Sequence, residues 1–281
     1  MSADSFAARR AAFRTLHESG CFALPNPWDI GSALYLQSLG FKALATSSGG
    51  FAFSQGLPDT DRAVSLDRML AHIAEIVAAV ELPVNADFQS GYAVQPEDVA
   101  GNVRLCVEAG VAGLSVEDAT GDPGQPLHEL PLAVERIRAA HAALDDSGVL
   151  LTARAECYLV GHPNPLKESI RRLQAYAQAG ADVLYAPGVR DPKEIREIVA
   201  AVSPKPVNVL MGTNSGLTIS GLAALGARRV SVGSSLARAA WTGFIRAAKG
   251  LAEEGSFAGF DGLVPYAELD VFFRKAVKAK V

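Results

Sequence analysis

The sequence predicts an α/β protein of the (β/α)8 TIM-type barrel class with an extra carboxy-terminal helix. Three observations carry this prediction. Eight short apolar segments have the character of strands, a longer helical pattern follows each of them, and several helices end in a glycine turn before the next strand. This alternation is typical of a parallel sheet. No stretch rich in Gly, Pro or Ser divides the chain, so we expect one domain over residues 1–281.

The predicted strands are short and bounded by turn residues. They lie at residues 21–24, 42–47, 82–87, 112–117, 149–154, 182–186, 206–210 and 229–233. An amphipathic amino-terminal helix over residues 1–19 precedes them. Helical patterns follow at residues 30–39, 66–80, 96–109, 132–144, 166–179, 192–202, 218–225 and 235–253.

Glycines close four of these helices, where the left-handed backbone conformation ends a helix without strain. They are Gly40, Gly110, Gly180 and Gly226. A further helix over residues 264–275 is left over after the eighth unit. Its apolar stripe requires a partner, either its own barrel or a neighbouring subunit, and consists of Tyr266, Leu269 and Phe273.

The composition excludes several classes of protein. The 281 residues are 49% hydrophobic and 20% charged with a net charge of -4, which suits an ample core and offers no basic patch for nucleic acid. No segment has the uninterrupted apolar length of a membrane span. The chain has three cysteines without CxxC spacing, Cys21, Cys106 and Cys157, so we expect neither a disulfide framework nor a structural zinc site. The absence of a disulfide framework favours a cytoplasmic location.

Charged residues stand at the ends of three consecutive strands, where parallel barrels hold their chemistry. Asn85 and Asp87 end the third strand on the same side, Glu117 ends the fourth and Arg154 the fifth. Asp87 and Glu117 would repel each other unless a cation lay between them, and oxygen ligands indicate Mg²⁺ or Mn²⁺. Arg154 offers a planar fork for a carboxylate or phosphonate. The alternative is a buried ion-pair network that fixes the barrel mouth.

Glycine-rich loops provide weaker signals. The run at residues 47–50, Ser-Ser-Gly-Gly, can present backbone N–H groups to an anion, although it is also compatible with an ordinary turn. The loops at residues 212–216 and 233–235 follow the seventh and eighth strands, where barrels often hold a phosphate. A phosphorus-containing substrate therefore stays open as a rival class.

The order and spacing of several short motifs resemble the isocitrate lyase and phosphoenolpyruvate mutase superfamily over nearly the whole chain. The motifs are NPWD, ATSSGG, GLPD, NADFQSGY, GLSVED, LTARAE and PVNVL. The resemblance implies a barrel whose last helix, here residues 264–281, is exchanged between subunits, usually in a tetramer built from dimers. It also implies a Mg²⁺ site and small 2-oxo acids, or acids cleaved to them, as substrates.

The resemblance assigns roles to individual residues. Asp87 and Glu117 would hold the metal directly or through water, with Asn85 beside them, and Asp59 would support the metal's water shell. Arg154 would grip the substrate. Ser47, Ser48 and Gly49 would hold the carboxylate of the 2-oxo acid. Apart from the resemblance, the positions of Trp28 and Asn208 at the first and seventh strand ends predict that both contribute to the substrate site.

The chain departs from the superfamily pattern at three places. Asn85 replaces the first Asp of the usual Asp-x-Asp, which removes one negative charge from the metal site, although its amide can still bind metal-bound water. The lid at residues 121–128 lacks the cysteine and lysine of the isocitrate-type lyases and the Lys and Asn of the mutase. Pro187 stands where other members have Glu or His.

These departures leave the reaction open at this point. The first hypothesis is a Mg²⁺-dependent lyase that cleaves a carbon–carbon bond of a small 2-oxo or 2-hydroxy acid through a pyruvate-type enolate, in the manner of an oxaloacetate decarboxylase or a methylisocitrate lyase. Decarboxylation of an oxaloacetate-like acid fits best, because departing CO2 needs no proton from a lid cysteine. The alternatives are P–C bond chemistry on a phosphonate, and a catalytically silent binder of carboxylates. His128 in the lid could donate a proton, but a lone loop histidine is more often solvated. We interpret Cys157 as a structural residue in the wall of the site rather than as a nucleophile, and His162 has no assigned role.

Overall fold

Eight parallel strands form one sheet in the computed structural model, which describes residues 3–60 and 63–278. The strands are β1 Phe22–Leu24, β2 Leu44–Ala45, β3 Val84–Asp87, β4 Gly113–Glu117, β5 Leu150–Arg154, β6 Val183–Tyr185, β7 Val207–Leu210 and β8 Arg229–Ser231. Their order is β1-β8-β7-β6-β5-β4-β3-β2, and the Ala45 N–H of β2 donates to the Pro25 carbonyl just beyond β1 at 3.0 Å. The sheet is thus a nearly closed barrel, and the predicted fold class is confirmed.

Each predicted helix corresponds to a helix in the structure. The helices are α1 Ala3–Leu16, α2 Ile30–Ser38, α3 Ser48–Ser54, α4 Leu66–Ala79, α5 Pro96–Glu108, α6 Leu130–Leu144, α7 Pro165–Gln178, α8 Pro192–Val202, α9 Ile219–Ala224, α10 Ser235–Glu254 and α11 Tyr266–Lys278. The short helix α3 is additional to the prediction. It begins in the serine-glycine run because the Ser47 hydroxyl accepts a hydrogen bond from the Gly50 N–H at 3.1 Å, which caps the first turn.

The chain divides into two compact units, Met1–Ser234 and Ser235–Val281. The first contains the eight strands and α1 to α9, and the second contains α10 and α11. The single domain predicted over residues 1–281 and the exchange of residues 264–281 stay predictions, and residues 279–281 lie outside the described part. No helix among the described residues is long and apolar enough to cross a membrane. The cytoplasmic location also stays a prediction.

The upper interior of the barrel is largely polar, whereas a small apolar cluster with Phe13, Leu24 and Leu150 lies apart from it and the main hydrophobic core packs the helices against the strands. Outward-facing strand residues are fully buried in that core, among them Ala86, Leu114, Leu151 and Leu184. Inward-facing residues line a small cavity below the barrel mouth and include Asn85, Ser115, Asn208, Arg229 and Ser231. Barrels of this class usually fill this space with Val, Ile and Leu. The polar filling therefore continues the chemistry of the mouth down into the barrel.

Helix α4 shows how the outer layer packs. Ser65 caps its first turn, and an apolar stripe with Met69, Ile73 and Ile76 is buried against the sheet. His72 lies in the same stripe and stacks on the Phe51 ring of α3, with ring centroids 3.8 Å apart. Its Nε2 atom has no hydrogen-bond partner among the described residues. This buried histidine is therefore held in an environment that favours the neutral ring.

Candidate active site

A cavity of about 390 Å³ opens at the carboxyl-terminal ends of the strands. Its volume lies within the roughly 300–1,000 Å³ of small-molecule sites. It brings together seven of the predicted site residues: Ser47, Ser48, Gly49, Asp59, Asp87, Glu117 and Arg154. The barrel mouth is where this fold places its catalytic residues. Seven residues predicted from the strand ends and their loops therefore line one cavity.

Arg154 lines this cavity and contacts three carboxylates. Its NH1 atom is 2.9 Å from Asp87 Oδ1, its NH2 atom 2.9 Å from Glu117 Oε2, and its Nε atom 2.8 Å from Glu156 Oε1. The register of the sheet produces this arrangement, because Glu117 and Arg154 are paired residues on the neighbouring strands β4 and β5. The guanidinium side chain is only 14% exposed, so these contacts are shielded from solvent.

The mouth carries more negative than positive charge. Burial raises the pKa of Glu117 well above its ordinary value, and the carboxylate of Glu156 adds to that shift while Arg154 opposes it. Burial also raises the pKa of Glu156, and burial followed by the charge of Asp87 raises that of Asp59. Burial disfavours the charged form of Arg154, but the surrounding carboxylates outweigh it and raise the arginine's pKa. This surplus of negative charge favours the binding of protons or of a cation.

The serine-glycine run binds the carboxylates of the neighbouring loops. Ser48 donates to Asp87 Oδ2 from its backbone N–H at 3.0 Å and from its hydroxyl at 2.9 Å. Gly49 allows the close approach of Asp59, because a Cβ atom there would lie 2.7 Å from the Asp59 Oδ2 atom. Gln89 Nε2 donates to the other Asp59 oxygen at 3.0 Å. Only glycine at position 49 therefore fits the position of Asp59 in the mouth.

The donor set fits a hard divalent cation such as Mg²⁺. Asp87 and Glu117 offer carboxylate oxygens, and no thiol or imidazole lines the described wall of the cavity. Within residues 3–60 and 63–278, no three His, Cys, Asp or Glu side chains converge on one metal position. Asp87 and Glu117 could supply two oxygen ligands to a cation, directly or through water. Mg²⁺ suits such a site because it retains several water ligands.

Three predicted site residues lie outside the mouth cavity. Asn85 faces the smaller cavity below, where its Nδ2 donates to the Ala86 carbonyl at 3.1 Å and its Oδ1 has no partner among the described residues. Asn208 lies there too, donating to Ser231 Oγ at 2.9 Å. Trp28 is half-buried and lines neither described cavity. The metal role of Asn85 and the substrate roles of Asn208 and Trp28 stay predictions.

Three residues of the site, Glu156, Gln89 and Tyr185, had no role predicted from the sequence. Glu156 lies two positions after Arg154, and its backbone is anchored because its N–H donates to Asp118 Oδ1 at 2.9 Å. Gln89 has a positive φ of 45°, an uncommon conformation that occurs at functional loops. The Tyr185 ring lies 5.2 Å below the Arg154 guanidinium. The proximity of Glu156 to Arg154 in sequence was an available signal, whereas nothing in the sequence marked the other two.

Neither histidine of the lid and the loop after β5 lines the cavity, and the cysteine of that loop is not an activated nucleophile. Ala119 and Gly121 line the cavity where the lid begins, and His128 is buried away from it, with its N–H donating to the Asp118 carbonyl at 2.9 Å. Burial raises the pKa of the Cys157 thiol to about 11, so it is not a thiolate at neutral pH. His162 Nδ1 accepts a hydrogen bond from the Asn164 N–H at 3.1 Å and does not line the cavity.

The sequence of this barrel matches a known family model. The model of phosphoenolpyruvate phosphomutase covers residues 13–252. The chain belongs to the phosphoenolpyruvate phosphomutase family. Its similarity to solved structures extends over the same barrel: a lyase/mutase candidate from Burkholderia cenocepacia is 47% identical, with a TM-score of 0.91, over 96% of this chain and 97% of that one.

Curated members of the superfamily include lyases. An oxaloacetate decarboxylase from Pseudomonas putida is 32% identical over 79% of this chain and 77% of its own length. A 2-methylisocitrate lyase from Escherichia coli is 33% identical over 60% of this chain and 58% of its own length. The superfamily predicted from the motifs is thereby confirmed. The chain therefore belongs to a superfamily that includes both lyases and mutases.

Proposed function

We propose that this protein is a Mg²⁺-dependent carbon–carbon lyase acting on a small 2-oxo acid, and that it decarboxylates an oxaloacetate-like acid. One observation carries the proposal: a single arginine, Arg154, lies among the carboxylates of Asp87, Glu117 and Glu156 in the barrel mouth. This arrangement supplies a carboxylate-binding fork beside a surplus of hard oxygen donors. The similarity to an oxaloacetate decarboxylase supports the same reaction.

Substrate binding follows from the contacts of Arg154. Asp87 and Glu117 would hold the cation directly or through water, which would leave NH1 and NH2 of Arg154 for the substrate's carboxylate. Glu156 would keep its contact with Nε and fix the plane of the fork, because Asp118 anchors its backbone. Asp118 is itself bound by Arg172 NH1 at 3.0 Å, so the support extends into α7. The fork is thus oriented by residues that do not need to move.

The chemical step requires stabilisation of negative charge on the 2-oxo oxygen. When bound, Mg²⁺ would supply Lewis-acid polarisation of that group. The Ser48 hydroxyl and the Arg154 guanidinium are donors in the same cavity, so they can stabilise the developing enolate. Carbon dioxide leaves without a proton, and the product carbon can take its proton from water. The absence of an acid at Ala119 and Gly121 is therefore compatible with decarboxylation.

A substrate screen tests this proposal. The purified protein is incubated with 2-oxo acids, 2-hydroxy acids and phosphonates, and pyruvate release is measured with Mg²⁺ and with a chelator. We expect release from an oxaloacetate-like acid, loss of activity with the chelator, and loss in Asp87→Ala. Faster turnover of a phosphonate would favour P–C bond chemistry instead. No release, together with no entry of solvent deuterium into the methyl group of pyruvate, would identify a silent binder.

We also propose that the second unit mediates assembly into a tetramer through exchange of residues 264–281. Its support is the exposure of large apolar side chains in that unit, including Phe257 at 66%, Leu263 at 64% and Tyr266 at 84%. A chain truncated before residue 264 should lose solubility or assemble into smaller oligomers, measured by light scattering. A fully soluble tetramer from the truncated chain would contradict the exchange.

A further inference from the structure

The mouth cavity has two chemically different sides. The side formed by β2 to β5 and their loops carries the charged groups described above. The other side, toward β6 to β8, contains the side chains of Leu159 and Leu210 together with Tyr185, Gly233 and Ser234. Leu159 follows β5 in sequence but reaches across to the loop after β6. The cavity wall therefore contains two large apolar side chains in addition to its carboxylates.

Glycines in the adjacent loops leave space for both leucine side chains. A Cβ atom on Gly188, after β6, would lie 3.0 Å from Leu159 Cδ2, and one on Gly233, after β8, would lie 3.2 Å from Leu210 Cδ1. Both glycines have positive φ, 95° and 55°, which other residues rarely adopt. Leu159 is 55% exposed and yet large and apolar. Both leucines line the same cavity beside glycines that leave room for them, and together they are called the leucine surface.

This leucine surface lacks a counter-charge. Among the described residues that line the cavity, Arg154 is the only positively charged one, and its three ion pairs are all with carboxylates. An anionic group placed against the two leucines would lose its hydration shell without gaining a positively charged partner. The surplus carboxylates of the cavity would repel it as well. A group that remains charged through the reaction is therefore poorly placed there.

We propose that Leu159 and Leu210 receive the group that leaves from C3 of the substrate, and that they select substrates whose leaving group departs without charge. This inference rests on the proposed lyase function and names its substrate class. In such a reaction the C3–C4 bond of an oxaloacetate-like acid breaks, its electron pair forms the enolate, and C4 leaves as carbon dioxide. A solvent proton then adds to C3 and gives pyruvate, so that atoms and electrons balance.

The leucine surface would favour this step over the competing ones. The leaving carboxylate is charged in the bound substrate and loses that charge as carbon dioxide forms, so an apolar environment disfavours the substrate more than the transition state. A phosphonate, or a leaving acid with further carboxylates, keeps its charge and gains no such advantage. The same surface therefore separates a decarboxylase from the P–C bond and tricarboxylate-cleaving chemistries.

Leu159→Arg tests the inference, with Leu159→Gln as a matched uncharged variant and Leu105→Arg, on the exposed side of α5, as a charge control. An arginine on the leucine surface should bind the substrate's second carboxylate before it leaves. For oxaloacetate we expect KM to fall while kcat falls about tenfold, a split that a merely structural effect would not produce. Competitive inhibition by 3-phosphonopyruvate should tighten about tenfold in the same variant.

The outcomes separate the inference from the function on which it rests. If the wild type decarboxylates but Leu159→Arg matches Leu159→Gln in KM, kcat and inhibition, the leucine surface does not face the leaving group. A rise in kcat in Leu159→Arg would overturn it as well. If the wild type acts on no 2-oxo acid, the proposed function fails and the inference fails with it. A measurement without variants gives a second test: the wild type should bind 2-oxobutyrate at least as tightly as 3-phosphonopyruvate, and the reverse order contradicts the proposal.

Discussion

Two arginines lie inside the same barrel in opposite electrostatic environments. Arg154, at the mouth, contacts three carboxylates, and these raise its pKa despite burial. Arg229, on β8 and 2% exposed, donates from Nε to Asn208 Oδ1 at 2.8 Å and from NH2 to Thr152 Oγ1 at 3.1 Å. No carboxylate pairs with it within residues 3–60 and 63–278, and burial lowers its pKa to about 10.

The two environments favour different roles. Arg229 donates to neutral acceptors on the neighbouring strands, so its donors fix those strands to each other. One arginine among several buried carboxylates, as at Arg154, is an unbalanced cluster that a cation and an anionic substrate can complete. We therefore expect a structural role for Arg229 below the mouth and a ligand-binding role for Arg154 at the mouth.

The largest effect should follow from Arg154→Lys. A lysine cannot reproduce the planar fork, so turnover of the eventual substrate should fall about 100-fold or more while the fold is retained. Steady-state kinetics and circular dichroism measure the two quantities. An unchanged kcat/KM would remove Arg154 from the site.

The matched change Arg229→Lys should have the opposite profile. A lysine there keeps the charge but cannot donate to both Asn208 and Thr152, which leaves a buried acceptor without a partner and costs about 1–3 kcal/mol of unfolding free energy. Denaturant unfolding should show this loss, with kcat/KM within a few-fold of wild type. A variant of full stability and low activity would mean that the two arginines do not divide the roles in this way.

The sequence predicted the barrel and the charged half of the mouth for a physical reason. Strand–helix alternation is a local signal, and Asp87, Glu117 and Arg154 end consecutive parallel strands, so their convergence follows from topology alone. The position of Gln89 depends on an uncommon backbone conformation, which no pattern of residue types encodes.

The leucine side of the mouth was also beyond prediction. Leu159 reaches it from a loop, and an apolar residue in a loop carries no signal of its function until its contact with Gly188 is known. Similarly, Asn85 and Asp87 share one face of β3, as alternation predicts, but the depth that separates Asn85 from the mouth becomes visible only in the folded barrel.

A smaller effect concerns pH and the outer layer of the barrel. Burial lowers the pKa of His72 from 6.5 to about 4. The folded state keeps this ring neutral, so His72 does not lower the stability of the protein above pH 6.5. Below pH 6.5 the unfolded state binds a proton that the folded state does not, so the unfolding free energy falls as the pH drops towards 4. The loss is at most about 1.4 kcal/mol per pH unit. The variant His72→Phe should lose less stability than wild type over this interval, measured by urea unfolding at several pH values. Parallel pH profiles would contradict the assignment.

The central claim is that the unbalanced carboxylates of the mouth hold a divalent cation. Calorimetric titration of Mg²⁺ or Mn²⁺ into wild type, Asp87→Ala and Asn85→Asp tests it most directly. Hard cations respond to the number of charged ligands, so Asp87→Ala should abolish binding and Asn85→Asp should tighten it. Turnover in Asn85→Asp can fall even so, since a more negative site repels an anionic substrate. Equal cation affinity in all three proteins would contradict the claim and make the silent carboxylate binder the better account.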